Sequence, residues 1–463
     1  MNSALPKLKL GLCPIGKFVF SHEDAVRQKQ LLEAKLRALG VAFCTIDAAV
    51  ADGVVRSTED AAKAIACLQE QKIDALFLVH GNFGTEHAVG LIGKAMNVPT
   101  AVWGPRDEAP LANGERLRDT LCGMFAATKV LHTLGVPFSY IENCRLDEPA
   151  FAAGLDRFLR AAAVANLFRR GLRIAHVGQR IDFFWSTIIN EAELLQRFNT
   201  QIIPVDLVQF LRKAKARAAR NHKLLAAEVK DLHRQFKVDA PTTDEGLLLN
   251  LAVRDQLLEE AETLQADAVA VQDFMSLVEE TNGWCMLAAG MVSDRLPYGL
   301  ESDIHGAISC AMLARAAGTG ATFLTDITVR HPANDNGVLL WHAGAPLSMR
   351  HPDDRGSLGG HWILKGPYGG MPHFRLRDGE VTLARFDGGH GRYQLAVGEG
   401  RTIDGPYTLN NYAWVEVADW PAWERTLMEG PFIHHAGMAY GRYASALAEA
   451  CRFIPGLEPV RLP

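Results

Sequence analysis

The sequence predicts an α/β protein in which two doubly wound α/β domains precede a mixed C-terminal domain containing a β-barrel. Two observations lead to this fold class. Over about the first 320 residues, short apolar runs alternate with amphipathic stretches, as in parallel sheets covered by helices. Beyond that point glycine and aromatic residues become frequent, and short alternating strands replace the long helices. We expect domains at 1–170 (N-terminal α/β), 171–320 (central α/β) and 321–463 (C-terminal, β-rich).

The N-terminal domain is predicted to alternate strand and helix from its start. Apolar runs and helical spacing indicate strands at 8–13, 41–46, 75–79 and 100–103, and helices at 22–39, 58–71, 88–96 and 151–168. The last helix ends in Arg169-Arg170-Gly171, a basic turn followed by a glycine, which marks the domain boundary. The strand at 75–79 leads into His80-Gly81-Asn82. Because ligands gather at the carboxyl ends of strands in open α/β sheets, we expect this turn to face a cleft.

The central domain repeats this alternation, and the C-terminal domain departs from it. Strands are predicted at 172–177, 200–204 and 268–272, with helices at 187–198, 257–265 and 307–317. The basic stretch at 212–220 is most simply a solvated helix face. Later strands, at 381–386, 392–397 and 412–417, are separated by turn signals such as Asp378-Gly379, and a helix at 441–451 closes the chain.

Composition limits the classes of partner and compartment. The chain has 463 residues, with 48 Lys+Arg against 53 Asp+Glu and a formal net charge of −5, which predicts neither a nucleic-acid nor a membrane partner. No segment approaches the ~20 apolar residues of a membrane span, and the N-terminus does not resemble a signal peptide, so we expect a cytoplasmic protein. Eight scattered cysteines without a CxxC pair predict free thiols.

Side chains suited to chemistry stand at four places along the chain: Glu301, Asp303 and His305; Asp326; His342; and His434 with His435. Each place alone has a structural explanation. At the first, Ser302 or Asp303 would cap the helix that follows. At the others, a lone aspartate or histidine at the end of a strand is more often structural than functional. Together, Glu301, Asp326, His342 and one of the paired histidines supply carboxylate and imidazole ligands without a thiolate. Such a set suits Mn²⁺, Mg²⁺, Co²⁺ or Fe²⁺.

Two carboxylates beside a Lewis acid are suited to proton transfer next to a carbonyl group. One carboxylate accepts a carbon-bound proton, the other acts on hydroxyl protons, and an enediolate is stabilised between them. No other cofactor motif competes, because the sequence lacks GxxxxGK[ST], a GxGxxG after a strand, HExxH and GxSxG. In the N-terminal domain, the turn Gly81-Asn82-Phe83-Gly84 either binds a substrate hydroxyl through its amides or is an ordinary strand-to-helix turn.

The order of these motifs resembles the L-fucose/L-arabinose isomerase superfamily over most of the chain. The resemblance rests on the following segments: Leu121-Cys122-Gly123, Asn190-Glu191-Ala192-Glu193-Leu194-Leu195, Leu300-Glu301-Ser302-Asp303-Ile304-His305-Gly306-Ala307, Asp326, His342-Ala343-Gly344-Ala345-Pro346 and His434-His435. It implies two α/β domains before a barrel-containing domain. It also implies a homo-oligomer, trimeric or hexameric, in which a neighbour's first domain completes the active site.

The resemblance also implies roles for individual residues. Glu301 and Asp326 would be the metal-binding acid/base pair, one of His434 and His435 a ligand, and His342 a ligand or a substrate contact, with Mn²⁺ the expected ion. Candidate substrate contacts are Lys17, His80, Asn82, Asp303 and His305. Lys17, Arg106 and His80 either recognise an anionic group or form salt bridges.

The substrate is left open by departures from the family pattern. Leu300, Gln272-Asp273 and Ala343 stand where the family often has cysteine or Cys-Trp, and these positions flank the implied pocket. We therefore expect a metal-dependent aldose–ketose isomerase that acts through an enediol(ate) on an open-chain sugar or sugar derivative. The alternatives are an epimerase or isomerase of a modified or charged sugar, and a non-catalytic sugar-binding protein.

Overall fold

A computed structural model describes residues 5–463. These residues form two compact units. One runs as far as Asn166 and also includes Glu449–Ile454, and the other comprises Leu167–Ala448 and Pro455–Pro463. The residues predicted as central and C-terminal domains therefore share one compact unit. Among residues 5–463, no helix combines the length and the apolar character needed to cross a bilayer.

The unit that runs to Asn166 contains a parallel five-stranded sheet. Its strands are β1 (Leu10–Ile15), β2 (Phe43–Cys44), β3 (Ala75–His80), β4 (Thr100–Trp103) and β5 (Ser139–Tyr140), and the helices in this part of the chain are α1 (His22–Ala38), α2 (Thr58–Glu70), α3 (Glu86–Met96), α4 (Thr120–Thr133) and α5 (Pro149–Arg170). The sheet order is β2-β1-β3-β4-β5. Leu76 and Leu78 of β3 join one hydrophobic cluster, and Phe77 and Val79 join another. The sheet is thus buried on both faces, as expected for a doubly wound domain.

Strand order in this sheet reverses beside β1, since β2 lies on one side of it and β3 on the other. The carboxyl ends of β1 and β3 are neighbours, with Ile15 paired to His80. Such a reversal is where open α/β sheets form a crevice. Lys17 and Asn82 follow these two strand ends.

The other unit contains a second parallel sheet, in the order β10-β9-β6-β7. The elements of this unit up to residue 317 are the strands β6 (Leu172–Val177), β7 (Thr200–Val205), β8 (Lys237–Val238), β9 (Ala268–Val271) and β10 (Tyr298–Gly299), and the helices α6 (Glu191–Phe198), α7 (Leu207–Arg220), α8 (His222–Gln235), α9 (Asp244–Thr263), α10 (Ser276–Thr281), α11 (Met286–Ser293) and α12 (Ile304–Ala317). Helix α6 begins later than predicted because Asn190 caps it by accepting from the Glu193 amide. The basic helix α7 forms ion pairs with α9, including Lys213 with Glu260.

A closed six-stranded antiparallel barrel follows in the same unit. The remaining elements are β11 (Phe323–His331), β12 (Asn334–His342), β13 (Ser357–Gly359), β14 (Met371–Arg375), β15 (Glu380–Gly389), β16 (Arg392–Ile403), β17 (Asn411–Val417), β18 (His435–Tyr440), β19 (Leu457–Arg461), α13 (Trp420–Glu429) and α14 (Ala444–Ala450). Antiparallel pairing runs β11-β12-β17-β16-β15-β18 and closes again on β11. The predicted fold class, including the barrel, is confirmed.

Helix α12 connects the second parallel sheet to the barrel. It packs against β18 and β15 of the barrel and against β10 and β9 of the sheet. Asp303 caps its N-terminus by accepting from the Gly306 amide, and Gly318 ends it in the left-handed conformation. The helix begins only three residues after Glu301, so this cap places Glu301 beside the barrel.

Candidate metal and active site

Neighbouring barrel strands bring together residues that lie far apart in the sequence. Asp326 of β11 is directly opposite His435, the first residue of β18, and residues opposite each other in an antiparallel pair share a face. On the other side of β11, Asp326 pairs with Trp341, which precedes His342 at the end of β12. Glu301 joins them from the short turn Leu300–Ser302 after β10.

The side chains of these residues converge on a common centre. His435 Nε2 lies 3.3 Å from Asp326 Oδ1 and 3.5 Å from Glu301 Oε2. His342 Nε2 lies 3.6 Å from Asp326 Oδ1 and 3.9 Å from Glu301 Oε1. Ligand atoms of Glu301, His342 and His435 all lie within 4.8 Å of one another. We call these four residues, Glu301, Asp326, His342 and His435, the ligand cluster.

The two adjacent histidines differ in position. Asp326, His434 and His435 form a second group whose ligand atoms lie within 4.8 Å of one another. His435 is buried and belongs to both groups, whereas His434 belongs only to the second, is 56% exposed and lies 3.8 Å from Asp326. Burial lowers the pKa of His434, with the neighbouring His435 adding to the effect. The sequence left open which of the two would be a ligand, and the structure places His435 at the centre and His434 at the rim.

The carboxylates and histidines of the ligand cluster shift each other's pKa, and the carboxylates favour positive charge at their centre. Burial would lower the pKa of His435, but Asp303 and Glu301 outweigh it and raise that pKa to about 10. Burial would raise the pKa of Glu301, but contact with His435 and the nearby His342 lower it below its usual value. Asp326 Oδ1 and His435 Nε2 are buried without a hydrogen-bond partner. An unpartnered buried polar atom costs ~1–3 kcal/mol, so both atoms are poised for a ligand between them.

Glu301 is held in a strained backbone conformation. Its φ is 57° and that of Ser302 is 59°, in the left-handed region that residues other than glycine seldom adopt. The Glu301 amide donates to Oδ1 of Asp273 at 3.0 Å, and the Ser302 hydroxyl donates to the carbonyl of Gln179 at 2.8 Å. Asp273 is fully buried, and burial together with Glu301 raises its pKa well above the usual range. These contacts hold the Glu301 carboxylate in the ligand cluster.

Sequence reasoning placed Asp273 beside the implied pocket without giving it a role, and it did not identify Arg385 at all. Asp273 follows β9 directly, so the end of a buried parallel strand was the available signal. Arg385 is a buried charge in strand β15, flanked by the apolar residues Ala384 and Phe386, and a buried charged residue needs a partner. Its partners are Asp303 and Asp387.

Two predicted substrate contacts, Asp303 and His305, lie behind the ligand cluster. Asp303 is 0% exposed and binds His435 and Arg385, in addition to capping α12. Burial alone would raise the pKa of Asp303, but Arg385 and His435 hold it well below its usual range. His305 is 3% exposed, with Nδ1 3.0 Å from Asp387. Capping, the alternative offered by the sequence, is therefore what Asp303 does, and neither side chain is exposed to a substrate in the described chain.

The other predicted substrate contacts lie in the unit that runs to Asn166. Asn82 is buried and organises its turn: its Oδ1 accepts from the amides of Lys17 and Gly84, and its Nδ2 donates to Ser21. The Lys17 ammonium lies 4.2 Å above the Phe83 ring. His80 is fully buried and burial lowers its pKa to about 4, so it lacks the charge that recognition of an anion would need.

Comparison with known proteins places the chain in a family. The family model for the "Fucose/sulfoquinovose isomerase, N-terminal domain" matches residues 11–169. The family model for the "L-fucose isomerase, C-terminal domain" matches residues 366–455. The chain belongs to the fucose isomerase-like superfamily. The resemblance drawn from the motifs is confirmed.

Relatives of this fucose isomerase-like chain include three sulfoquinovose isomerases. Those of Priestia aryabhattai and Priestia megaterium are each 24% identical over 449 residues, which is 95% of this chain and 96% of the relative. That of Alkalicoccus urumqiensis is 26% identical over 320 residues, covering 68% of this chain and 69% of the relative. Among the ligand cluster, only His435 lies within a family-matched range; Glu301, Asp326 and His342 lie between the two.

Proposed function

We propose that the protein is a metal-dependent aldose–ketose isomerase that acts on the open-chain form of a sugar carrying an anionic group. The convergence of Glu301, Asp326, His342 and His435 supports this most directly. Relatedness to sulfoquinovose isomerases over 95% of the chain supports a modified, acidic sugar as substrate, since sulfoquinovose carries a sulfonate.

The ligand cluster fits a divalent cation by two observations. Its donors are two carboxylates and two imidazoles, a set typical of Mn²⁺ and similar ions. Two of its atoms, Asp326 Oδ1 and His435 Nε2, are buried and unpartnered although only 3.3 Å apart. Glu301, Asp326, His342 and His435 would hold the ion, with Mn²⁺ the one we expect. When bound, it would supply positive charge that stabilises negative charge developing on the sugar oxygens.

The carboxylates of the ligand cluster are suited to move the protons of the isomerisation. One of Glu301 and Asp326 accepts the proton bound to C2 of the aldose, which leaves an enediol(ate), and returns it to C1. The other transfers the proton of the C2 hydroxyl to the oxygen on C1, so that no atom is gained or lost. Glu301 is ionised at neutral pH because His435 and His342 lower its pKa, and it can therefore accept a proton.

The decisive experiment follows deuterium from D₂O into sugars by NMR, with chelator-treated protein and restored Mn²⁺. The panel contains sulfoquinovose, a uronic acid, L-fucose and L-arabinose. We expect deuterium at C1 or C2 and a ketose product from the acidic sugars alone, and only with the metal. An epimer in place of a ketose would favour the epimerase, and binding of a sugar without exchange would favour a non-catalytic binding protein.

Variants of the carboxylates test the chemistry itself. Glu301→Gln and Asp326→Asn should each lower turnover by about 10³-fold, because removing a positioned acid or base costs about 10²–10⁴-fold. Asp335→Asn is the matched control, since Asp335 is an exposed aspartate of β12 outside the ligand cluster. Full turnover by the folded Glu301 and Asp326 variants would contradict the mechanism.

The family resemblance further supports a homo-oligomer, trimeric or hexameric. Lys17, two residues after β1, stays the predicted contact to a sugar in a neighbouring copy. Light scattering on the purified protein measures the number of chains directly.

A further inference from the structure

His435 presents its two ring nitrogens to different environments. Nδ1 lies 2.9 Å from Oδ2 of Asp303, and both side chains are buried. Nε2 lies 3.3 Å from Asp326 and 3.5 Å from Glu301, without a hydrogen-bond partner. Because an ionised carboxylate only accepts, the hydrogen in the Asp303 contact belongs to Nδ1. That contact therefore sets which nitrogen faces the ligand cluster.

Asp303 has no remaining capacity for another partner. Its carboxylate accepts from the Gly306 amide at 2.8 Å, from both terminal nitrogens of Arg385 and from His435 Nδ1. These donors use the ~four lone-pair directions of a carboxylate. Held from all sides, the Asp303 carboxylate cannot rotate without breaking several charge-assisted hydrogen bonds.

Arg385 joins Asp303 to a second, similar Asp–His pair. Its Nε donates to Asp387 Oδ2 at 2.8 Å, and Asp387 Oδ1 lies 3.0 Å from His305 Nδ1. Each aspartate also accepts one backbone amide, from Gly306 and Gly388 respectively. The pairs differ in what the histidine faces besides its aspartate: the His305 ring lies against Phe386 and Tyr393, whereas His435 Nε2 lies beside Asp326 and Glu301.

We propose that Asp303, clamped by Arg385, is a positioning residue that orients His435 so that Nε2 faces the metal site. This inference rests on the metal site of the proposed function. Ligating histidines generally donate their second N–H to a carboxylate or carbonyl, and losing that partner lowers metal affinity by about 10–100-fold. Asp387, bound to the same arginine but to a histidine outside the ligand cluster, carries no such role.

The test compares Asp303→Asn with Asp387→Asn in the full-length protein. Each change neutralises one buried carboxylate beside Arg385, and asparagine keeps an N-cap for α12 at position 303. The binding of Mn²⁺ to chelator-treated protein is measured by EPR from the loss of the free-ion signal, and circular dichroism verifies folding. We expect Asp303→Asn to weaken Mn²⁺ binding by about 10–100-fold and Asp387→Asn by less than about threefold.

Each outcome of the EPR titration supports or overturns the inference. Mn²⁺ binding by Asp303→Asn at the wild-type affinity would overturn it. Equal weakening in both variants would also overturn it, because the cause would then be general loosening of the buried charges. Failure of the wild-type protein to bind Mn²⁺ would instead reject the metal site of the proposed function, and the inference with it.

A double variant keeps the test valid if Asp303→Asn does not fold. Removing one partner of a buried ion pair leaves an uncompensated charge, whereas removing both is far better tolerated. Asp303→Asn/Arg385→Met removes both charges of this pair and leaves Asp387 with His305 and the Gly388 amide as partners. We expect the same loss of Mn²⁺ affinity, about 10–100-fold. Wild-type affinity in this double variant would overturn the role of Asp303.

Discussion

Two buried histidines, His80 and His435, both lie at the end of a strand, but their pKa values are shifted in opposite directions. His80 is the last residue of β3 and His435 the first residue of β18, and they are 0% and 1% exposed. Burial lowers the pKa of His80 to about 4, with only the Phe83 carbonyl opposing it. Burial acts on His435 in the same direction, but Asp303 and Glu301 raise its pKa to about 10.

The comparison shows that partners, and not burial, decide what a buried histidine does. At His80 the ring Nδ1 lies 2.9 Å from the Phe83 carbonyl, and no carboxylate among residues 5–463 forms an ion pair with it. It is a neutral ring that holds a turn. At His435, carboxylates lie beside both nitrogens. The same residue type is thereby suited to a site of high charge.

The largest expected difference between the two histidines concerns metal binding. His435→Asn keeps a donor toward Asp303 but removes Nε2, so we expect loss of bound Mn²⁺ and a fall in turnover of about 10³-fold. His80→Asn is the matched change in the other unit and should retain the metal. Metal content by mass spectrometry distinguishes them, and stoichiometric Mn²⁺ in folded His435→Asn would contradict the assignment of His435 as a ligand.

The next largest effect is a pH dependence of stability at His80. Its folded-state pKa of about 4 lies below the ordinary value of 6.5, so between these pH values the unfolded chain binds a proton that the folded chain does not. The free energy of unfolding should therefore decrease as the pH is lowered through this window, by up to ~1.4 kcal/mol per pH unit and about 3 kcal/mol in all.

Urea unfolding between pH 4 and 7 measures this contribution. His80→Asn, which retains a donor for the Phe83 carbonyl but does not titrate, should show a shallower loss of stability on acidification. Equal slopes for the variant and the wild-type protein would show that His80 is not the group responsible.

The smallest of these effects concerns the packing that holds the His80 turn. Gly123 of α4 lies against this turn, and a Cβ added there would be 1.6 Å from the Phe83 oxygen, which His80 contacts. Gly→Ala within a helix ordinarily stabilises by up to ~1 kcal/mol. Here Gly123→Ala should destabilise by about 1–3 kcal/mol, because Phe83 must move.

The control for this change is Cys122→Ala, an exposed position next to it on the same helix. Its urea midpoint should lie within the range of about ±0.5 kcal/mol expected of surface substitutions. A Gly123→Ala protein as stable as Cys122→Ala would show that the turn yields easily, and His80 would then be less rigidly held than we describe.

Much of the fold could be predicted because its signals are local. The apolar run before His80 and the alternating pattern around Arg385 identify a buried parallel strand and a barrel strand without knowledge of what they contact. Boundaries were less accurate where side-chain capping decided them. Helix α6 begins at Glu191 because Asn190 caps it, and residues 185–187 form a separate short turn.

The residue types of the ligand cluster were also predictable, but their partners were not. Carboxylates and histidines at the ends of apolar strands indicated Glu301, Asp326, His342 and a histidine pair. The choice of His435 over His434 depends on the side of β18 that faces Asp326. Periodicity within one strand does not determine this, because it depends on the register with a neighbour more than 100 residues away.

By itself, the sequence determined the α/β class, the change to a barrel and the kinds of ligand available, since local apolar periodicity and residue chemistry carry that information. Asp303 was predicted as a substrate contact, and only the tertiary structure decided that it is a buried partner of His435 and Arg385. The reason is geometric: closure of the barrel and packing of α12 against β15 and β18 bring these side chains within hydrogen-bond distance. Hydrogen-bond energies depend on such distances, which no local pattern encodes.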